Sequence, residues 1–253
     1  MTTPSLAVTL QVLAPLAIVR LQDHTAGNRF SPALRRGLTH AMAAASAEPA
    51  VGVIVLEGLP TVFCAGATLG QLLGDHEERM VIGRELIRAL LHCPLPVIVA
   101  AQGHAIGGGL LLALCGDIGV LSEQSSYAAN FMTFGFTPSL GASDLLPAKL
   151  GASLGQEMLY TGRAYRGVEL AQRGAGLMVV DHAQVPGRAR RVAARIAQAP
   201  RQSLELLKIR LSSGIRETME RALSTDDDDH RKTTANAAVR ARITTLHTEG
   251  RQP

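Results

Sequence analysis

Two glycine-bearing turns hold the residue types best suited to a reaction. The first spans residues 63–67 (FCAGA) and the second spans residues 103–109 (GHAIGGG), and each follows a short apolar run. Glycine permits close approach of the backbone to a ligand, and peptide N–H groups at the start of a helix stabilise an anion or a developing oxyanion. Taken alone, three consecutive glycines are more typical of tight packing than of an oxyanion hole. No Gly-Lys-Ser/Thr or G-x-G-x-x-G pattern is present, so a nucleotide phosphate is not the expected ligand.

Other reactive residue types give weaker predictions. The four aspartates at 226–229 are expected to cap the N-terminal end of a last helix, with a metal site as the less favoured alternative. Cys64 lies in the first turn, but the sequence places no base beside it, so covalent catalysis is not expected. None of the three cysteines has metal-ligand spacing, and we predict no metal site.

The elements that must position the turns alternate between strand and helix. Strands are predicted at residues 6–13, 17–21, 52–57, 97–101 and 118–121, and helices at 32–47, 71–92 and 109–115. This alternation predicts an α/β protein in which loops at strand ends are available for a site. Beyond residue 141 the pattern is mostly helical. It ends in two long predicted helices, 202–223 and 230–246, with a capping signal at 224–226 between them.

Composition excludes several classes of protein. The chain has 253 residues, of which 47% are hydrophobic and 18% charged, as in a globular protein with one sizeable core. Its apolar runs fall far short of the ~20 residues that cross a bilayer, so no membrane association is expected. Three cysteines make no disulfide framework, which favours a reducing cytoplasm. With 3% aromatic residues and no tryptophan, a stacking platform for nucleic acid is not expected.

The order of the two turns and a third block resembles the crotonase (enoyl-CoA hydratase/isomerase) superfamily. The matching blocks are FCAGAT, QGHAIGGG and GFTPSLGAS. The resemblance implies an α/β spiral of ββα repeats in residues 1–200. It also implies a C-terminal helical region, residues 201–253, that covers an acyl pocket and forms a homotrimer or a dimer of trimers. In that family a thioester carbonyl accepts hydrogen bonds from two peptide N–H groups, which here belong to Ala67 and Gly108.

Two departures from the family narrow the chemistry. Hydratases of this superfamily use two glutamates, and their positions hold Leu111 and Phe131 here. Adding water to a double bond needs an acid/base group near that bond, so hydration is disfavoured. An oxyanion hole facing an apolar wall suits a reaction that develops enolate charge without a strong base. Decarboxylation next to a conjugated thioester is such a reaction.

A narrower resemblance points to the decarboxylases of polyketide β-branching. It rests on YAANFM followed by GFTP, and on H-x-K-T in the last helical region. It implies loss of CO2 from a 3-methylglutaconyl group on an acyl carrier protein, with His230 returning a proton and with Tyr127 and Asn130 contacting the acyl chain. No cofactor is implied beyond the phosphopantetheine of the carrier or CoA. An acidic carrier would also match the net charge of +4.

One feature of those decarboxylases is missing, a lysine on the helix after the first turn. Met80 aligns there with Arg79 beside it, and Arg79 either pairs with the substrate carboxylate or is a surface arginine after two glutamates. Three alternatives therefore stay open: an isomerase or hydratase acting on acyl-CoA, a bifunctional dehydratase/decarboxylase, and a non-catalytic acyl or RNA binder.

Overall fold

The structure is a computed structural model that describes residues 7–248. Ten strands are present in this range: β1 (Val8–Leu13), β2 (Leu16–Leu21), β3 (Val53–Glu57), β4 (Val62–Cys64), β5 (Val97–Ala101), β6 (His104–Ile106), β7 (Ile118–Ser122), β8 (Ser126–Ala128), β9 (Ala164–Arg166) and β10 (Met178–Val180). The first predicted strand agrees with β1, except that Leu6 lies outside the described residues.

Eleven α-helices occur among residues 7–248. They are α1 (Pro32–Ala47), α2 (Leu69–Leu73), α3 (His76–Leu91), α4 (Gly108–Leu114), α5 (Phe131–Phe134), α6 (Ala142–Leu150), α7 (Ala152–Thr161), α8 (Gly167–Gln172), α9 (Val185–Ile196), α10 (Arg201–Ala235) and α11 (Ala237–Thr248). None of the helices in this described range is long and apolar enough to span a bilayer.

The strands form two sheets. The larger has the order β1-β2-β3-β5-β7-β10 and is parallel except for the β1–β2 hairpin, while the smaller has the order β4-β6-β8-β9. Each strand of the larger sheet from β3 to β7 is followed by a short strand of the smaller sheet and then by a helix. This repeat confirms the expected α/β spiral of ββα units. All five residues of β3 and of β5 are buried, as in a parallel strand covered on both faces.

The smaller sheet brings the two glycine-bearing turns together. β4 and β6 pair in parallel, with Val62 opposite His104 and Cys64 opposite Ala105. The carboxyl ends of both strands therefore lie side by side, and each strand runs directly into its turn. Parallel pairing of this kind requires a long crossover between the strands, which here contains α2, α3 and β5.

Three element predictions are wrong. Residues 71–92 form two helices because the chain breaks at Gly74, after which the Asp75 side chain accepts from the N–H of Glu78 (2.7 Å) and caps α3. The strands β9 and β10 lie in the part expected to be helical. They have three residues each, too few for an alternating pattern to identify.

The third error concerns the C-terminal helices. α10 runs without a break from Arg201 to Ala235, so the aspartates at 226–229 lie inside a helix and do not cap one. The hydroxyls of Ser224 and Thr225 donate back to the carbonyl of Arg221 (2.6 and 3.1 Å), which keeps them within the helix. The chain turns instead at Asn236.

The beginning of α10 is fixed to the core by charged groups. Lys208 is 4% exposed, and its Nζ contacts both carboxylate oxygens of Asp117 (2.7 and 2.6 Å). Arg201 donates to the backbone carbonyls of Ser46, Glu48 and Val51 at 2.6 to 2.9 Å. These contacts set the direction in which α10 leaves the core and crosses towards the two turns.

Candidate active site

The first turn packs backbone to backbone against the second. Gly66 has φ of +72°, and a Cβ at this position would lie 2.6 Å from the carbonyl oxygen of Ile106 and 3.3 Å from the nitrogen of Gly108. Both the left-handed conformation and this close approach exclude a side chain. Gly66 is therefore required for the two turns to meet.

Hydrogen bonding of a neighbouring carbonyl sets the direction of the Ala67 N–H. The Gly66 carbonyl accepts from the N–H of Phe30 (2.8 Å). Because the peptide unit is planar and trans, its N–H points opposite to its carbonyl. The N–H of Ala67, which belongs to the same peptide unit, consequently points away from Phe30 N. Ala67 lines a cavity beside the turns.

The Gly108 N–H is directed in the same way. The Gly107 carbonyl accepts from Leu110 N (3.0 Å) and Leu111 N (3.3 Å) in the first turn of α4, so the N–H of Gly108 points away from the helix. Gly108 lines the same cavity as Ala67. Across residues 7–248, neither of these two N–H groups has a hydrogen-bond partner. Both can donate to an oxygen in the cavity.

The cavity is mostly apolar and small. Its volume is about 90 Å³, on a scale where one water needs about 10–15 Å³, so it has room for roughly six to nine groups the size of a water molecule. The side chains of its apolar wall include Met80, Phe131, Phe134, Phe136, Leu140 and Ile243. Phe134 and Phe136 stack with ring centroids 5.8 Å apart. No Asp or Glu lines the cavity among the residues that the structure describes.

His230 lies in this wall and is 2% exposed. Its Nδ1–H donates to the carbonyl of Thr137 (2.7 Å), and its ring meets the Phe136 ring edge-on at 5.0 Å. Burial lowers the pKa of His230 to about 4; the hydrogen bond to Thr137 opposes this, and the nearby Arg79 and His76 lower the pKa further. The ring is therefore neutral at pH 7, and its proton is on Nδ1.

Arg79 is 8% exposed and lines the cavity, so the alternative of a surface arginine is wrong. Its Nη1 donates to the carbonyls of Gln71 (2.6 Å) and Leu72 (3.3 Å), and its Nη2 donates to Nδ1 of His76 (2.9 Å). These contacts turn the guanidinium back towards α2. A cationic group thus lies in the same wall as His230.

The structure brings six of the eight expected site residues to the cavity and leaves out two. Those at the cavity are Ala67, Gly108, Arg79, Asn130, Phe131 and His230. Tyr127 is fully buried behind it, where its hydroxyl donates to the Ala101 carbonyl (2.7 Å) and accepts from Ser122 N (2.8 Å). Leu111 is also fully buried, in the main hydrophobic core. Neither Tyr127 nor Leu111 lines the cavity.

Two residues near the cavity were missed by sequence reasoning. The Nη1 of Arg29 donates to the carbonyl of Ala67 (3.0 Å), a contact between distant segments that no local pattern predicts. His76 stands three residues before Arg79, and this spacing on a helix was an available signal. Cys64 is buried, which raises the pKa of its thiol to about 12, and the thiol donates to the Asn28 carbonyl (2.9 Å).

Comparison with known proteins agrees with this arrangement. The Enoyl-CoA hydratase/isomerase family matches residues 13–253. Bacillaene synthase decarboxylase PksI of Bacillus subtilis (strain 168) is 36% identical over 246 residues, 97% of this chain and 99% of that protein. A probable enoyl-CoA hydratase of Mycobacterium tuberculosis, EchA14, is 31% identical over 199 residues, 77% of each chain.

Solved structures give the same result. The ECH2 decarboxylase domain of CurF from Lyngbya majuscula superposes with a TM-score of 0.89 at 36% identity, covering 95% of this chain and 99% of that one. A structure from a dehydratase/decarboxylase enzyme couple involved in polyketide β-branching has a TM-score of 0.90 at 36% identity, covering 95% and 96%. The chain therefore belongs to the enoyl-CoA hydratase/isomerase family of the crotonase superfamily, and among its relatives are the polyketide ECH2 decarboxylases.

Proposed function

We propose that the protein decarboxylates a 3-methylglutaconyl-type thioester on an acyl carrier protein to a 3-methylcrotonyl-type product during polyketide β-branching. The supporting observation is a cavity with two peptide N–H groups on one wall and Arg79 and His230 on another, with no carboxylate among its described lining residues. Full-length relatives that are decarboxylases support the same reaction.

In the first step the bond between C4 and the carboxylate breaks and CO2 leaves. Its electron pair moves through the conjugated double bond to the thioester oxygen, which becomes a dienolate oxygen. This oxygen accepts hydrogen bonds from the N–H groups of Ala67 and Gly108. Loss of one such donor raises the barrier by ~3–4 kcal/mol.

The aromatic wall favours this step. A carboxylate in apolar surroundings loses its hydration, whereas CO2 is neutral and loses little. Phe131 and Phe136 meet edge-on with ring centroids 6.2 Å apart, and both line the cavity. These rings exclude the water that a hydration would require. Arg79 compensates the charge of the carboxylate and so selects a substrate that carries one.

In the second step a proton returns to C4. One proton is consumed in each turnover, because a carboxylate is exchanged for a C–H bond. Nδ1 of His230 keeps its proton in the bond to Thr137, and Nε2 of the neutral ring carries none. Nε2 therefore takes up a proton from solvent as negative charge develops on the dienolate, passes it to carbon and returns to the neutral form. Return at C4 gives the conjugated product, while return at C2 would give its non-conjugated isomer.

A carrier protein and a homotrimer or dimer of trimers complete the proposal, in the cytoplasm. The net charge of +4 suits an acidic carrier. Self-association is supported by four large apolar side chains on the outer face of α10 that are 52–74% exposed: Leu206, Leu207, Ile209 and Leu211. Light scattering after gel filtration measures the assembly.

The test is intact mass spectrometry of a carrier protein loaded with the 3-methylglutaconyl group, before and after incubation with the enzyme. Loss of one CO2 is expected. Loss or gain of water would instead indicate a dehydratase or hydratase, and faster turnover of the CoA thioester would contradict the carrier as partner. Salt-dependent RNA binding with no acyl turnover would reject an enzyme altogether.

A further inference from the structure

His76 contacts both side chains of the cavity wall that face the proposed carboxylate. It is the first residue of α3, where Asp75 is the N-cap. Its Nδ1 lies 2.9 Å from Nη2 of Arg79, and its ring centroid lies 5.7 Å from that of His230 with the planes tilted by 38°. This separation is within the range of aromatic contact.

The hydrogen bonds set the protonation of the two rings in opposite ways. A guanidinium only donates, so Nδ1 of His76 is the acceptor and the neutral ring carries its proton on Nε2. A carbonyl only accepts, so His230 carries its proton on Nδ1 and none on Nε2. His76 thus has a donor and His230 has an acceptor at the corresponding ring position.

His76 also completes the fixation of Arg79. The Nη1 of Arg79 is bonded to backbone carbonyls of residues 71 and 72, and Nη2 is bonded to His76. Hydrogen bonds from two nitrogens of a guanidinium fix the orientation of its plane better than hydrogen bonds from one nitrogen do. Replacing His76 therefore removes one of the anchors of Arg79 while leaving its charge in place.

We propose that His76 is a positioning residue that holds Arg79 and His230 in a fixed arrangement and thereby makes the site specific for thioesters with a carboxylate at the far end. The inference rests on the proposed function, because it assigns the carboxylate to this wall. His76 acts through its two neighbours and does not itself need to reach the substrate.

The experiment compares two unreactive ligands. 3-Methylglutaryl-pantetheine carries the carboxylate but lacks the double bond that accepts the electron pair, and 3-methylbutanoyl-pantetheine lacks the carboxylate as well. Their dissociation constants are measured for the wild type, His76→Ala, His76→Gln and His92→Ala. His92 is a matched control at the other end of α3, where it pairs with Glu220 at 2.8 Å.

We expect His76→Ala to weaken binding of the carboxylate ligand about tenfold, because an oriented hydrogen bond to a charged group is lost. Binding of the carboxylate-free ligand should stay unchanged, and His76→Gln, whose amide oxygen can accept from Arg79, should recover most of the loss. His92→Ala should bind both ligands as the wild type does.

Two further measurements exclude a merely structural effect. The imidazole NMR signals of His230 should titrate at higher pH in His76→Gln, because one of the groups that lower its pKa is gone. Among the described residues, Arg79 and His76, both on α3, are the groups outside α10 that lower it. In His76→Ala, the KM for the 3-methylglutaconyl thioester should rise by a larger factor than kcat falls.

Equal weakening for both ligands, or none in His76→Ala, would overturn the inference. If His76→Ala fails to fold, the comparison of His76→Gln with the wild type decides, since a normal ligand preference with no shift of His230 would also reject it. A wild type that prefers the carboxylate ligand but releases no CO2 from the unsaturated thioester would reject the proposed function and leave the role of His76 supported.

Discussion

The two ends of the cavity are built from different material. The end at the glycine turns consists of backbone, and its N–H groups are directed by carbonyls bonded to Phe30 and to α4. The opposite end consists of side chains on α3 and α10, held by contacts such as His230 to Thr137. Backbone geometry follows from the fold and is shared by any sequence that adopts it. Side chains can change without disturbing the fold, so they decide which thioester reacts and how.

The largest effect is expected from a substitution that distorts the backbone end of the cavity. Gly66→Ala places a Cβ 2.6 Å from the Ile106 carbonyl, so the turn must shift and the Ala67 N–H loses its direction. We expect kcat for CO2 release to fall about 100- to 1000-fold, as for loss of one oxyanion donor. A steady-state CO2 assay measures it.

Gly174→Ala is the matched control for this change. Gly174 has φ of +75°, close to that of Gly66, but nothing lies within 4 Å of a Cβ there. It introduces the same backbone strain without touching the turns, so the fall in kcat should be absent. Similar losses in both variants would mean that strain alone, and not the oxyanion contact, explains the effect.

A smaller effect is expected from breaking the side-chain end. His230→Gln removes the proton carrier but leaves both N–H donors, so CO2 release should slow about 100-fold. The product should also contain the non-conjugated isomer, because protonation at C4 is no longer directed. Proton NMR of the product mixture distinguishes the isomers, and a wild-type isomer ratio in this variant would remove His230 from the proton return.

The smallest expected effect is on stability and not on activity at neutral pH, and it again distinguishes the side-chain end of the cavity from the backbone end. The pKa of His230 is about 4 in the folded protein and ordinarily 6.5 in the unfolded chain, so between these values the unfolded chain binds more protons. The stabilisation is complete above pH 6.5 and is lost as pH falls towards 4. Its full size is roughly 3 kcal/mol.

Urea unfolding of the wild type and of His230→Gln from pH 7 to pH 4 measures this contribution. The difference between the two free energies of unfolding should change by that amount across the window. The backbone end contains no titratable group in its two donors and should add nothing. A constant difference would show that His230 is not buried in the neutral form.

The sequence predicts the backbone end better than the side-chain end, for a physical reason. Glycines after buried strands report directly on a turn, so Ala67 and Gly108 could be placed from local pattern and family resemblance. Arg79 follows two glutamates and looks like a surface residue, yet it is buried and its guanidinium is bonded to backbone carbonyls of α2. The partners of Tyr127 and His230 are set by packing between distant segments, which local periodicity does not encode.

Because α10 is unbroken, the number of residues between Lys208 and His230 sets where the imidazole of His230 lies relative to the anchored beginning of the helix. Twenty-two positions separate Lys208, clamped by Asp117, from His230, a span of about 33 Å at the helical rise. Deleting one residue within that span would rotate the ring by about 100° around the helix axis. Homologues with a different number of residues in this segment would have to deliver their proton from another direction around the helix axis.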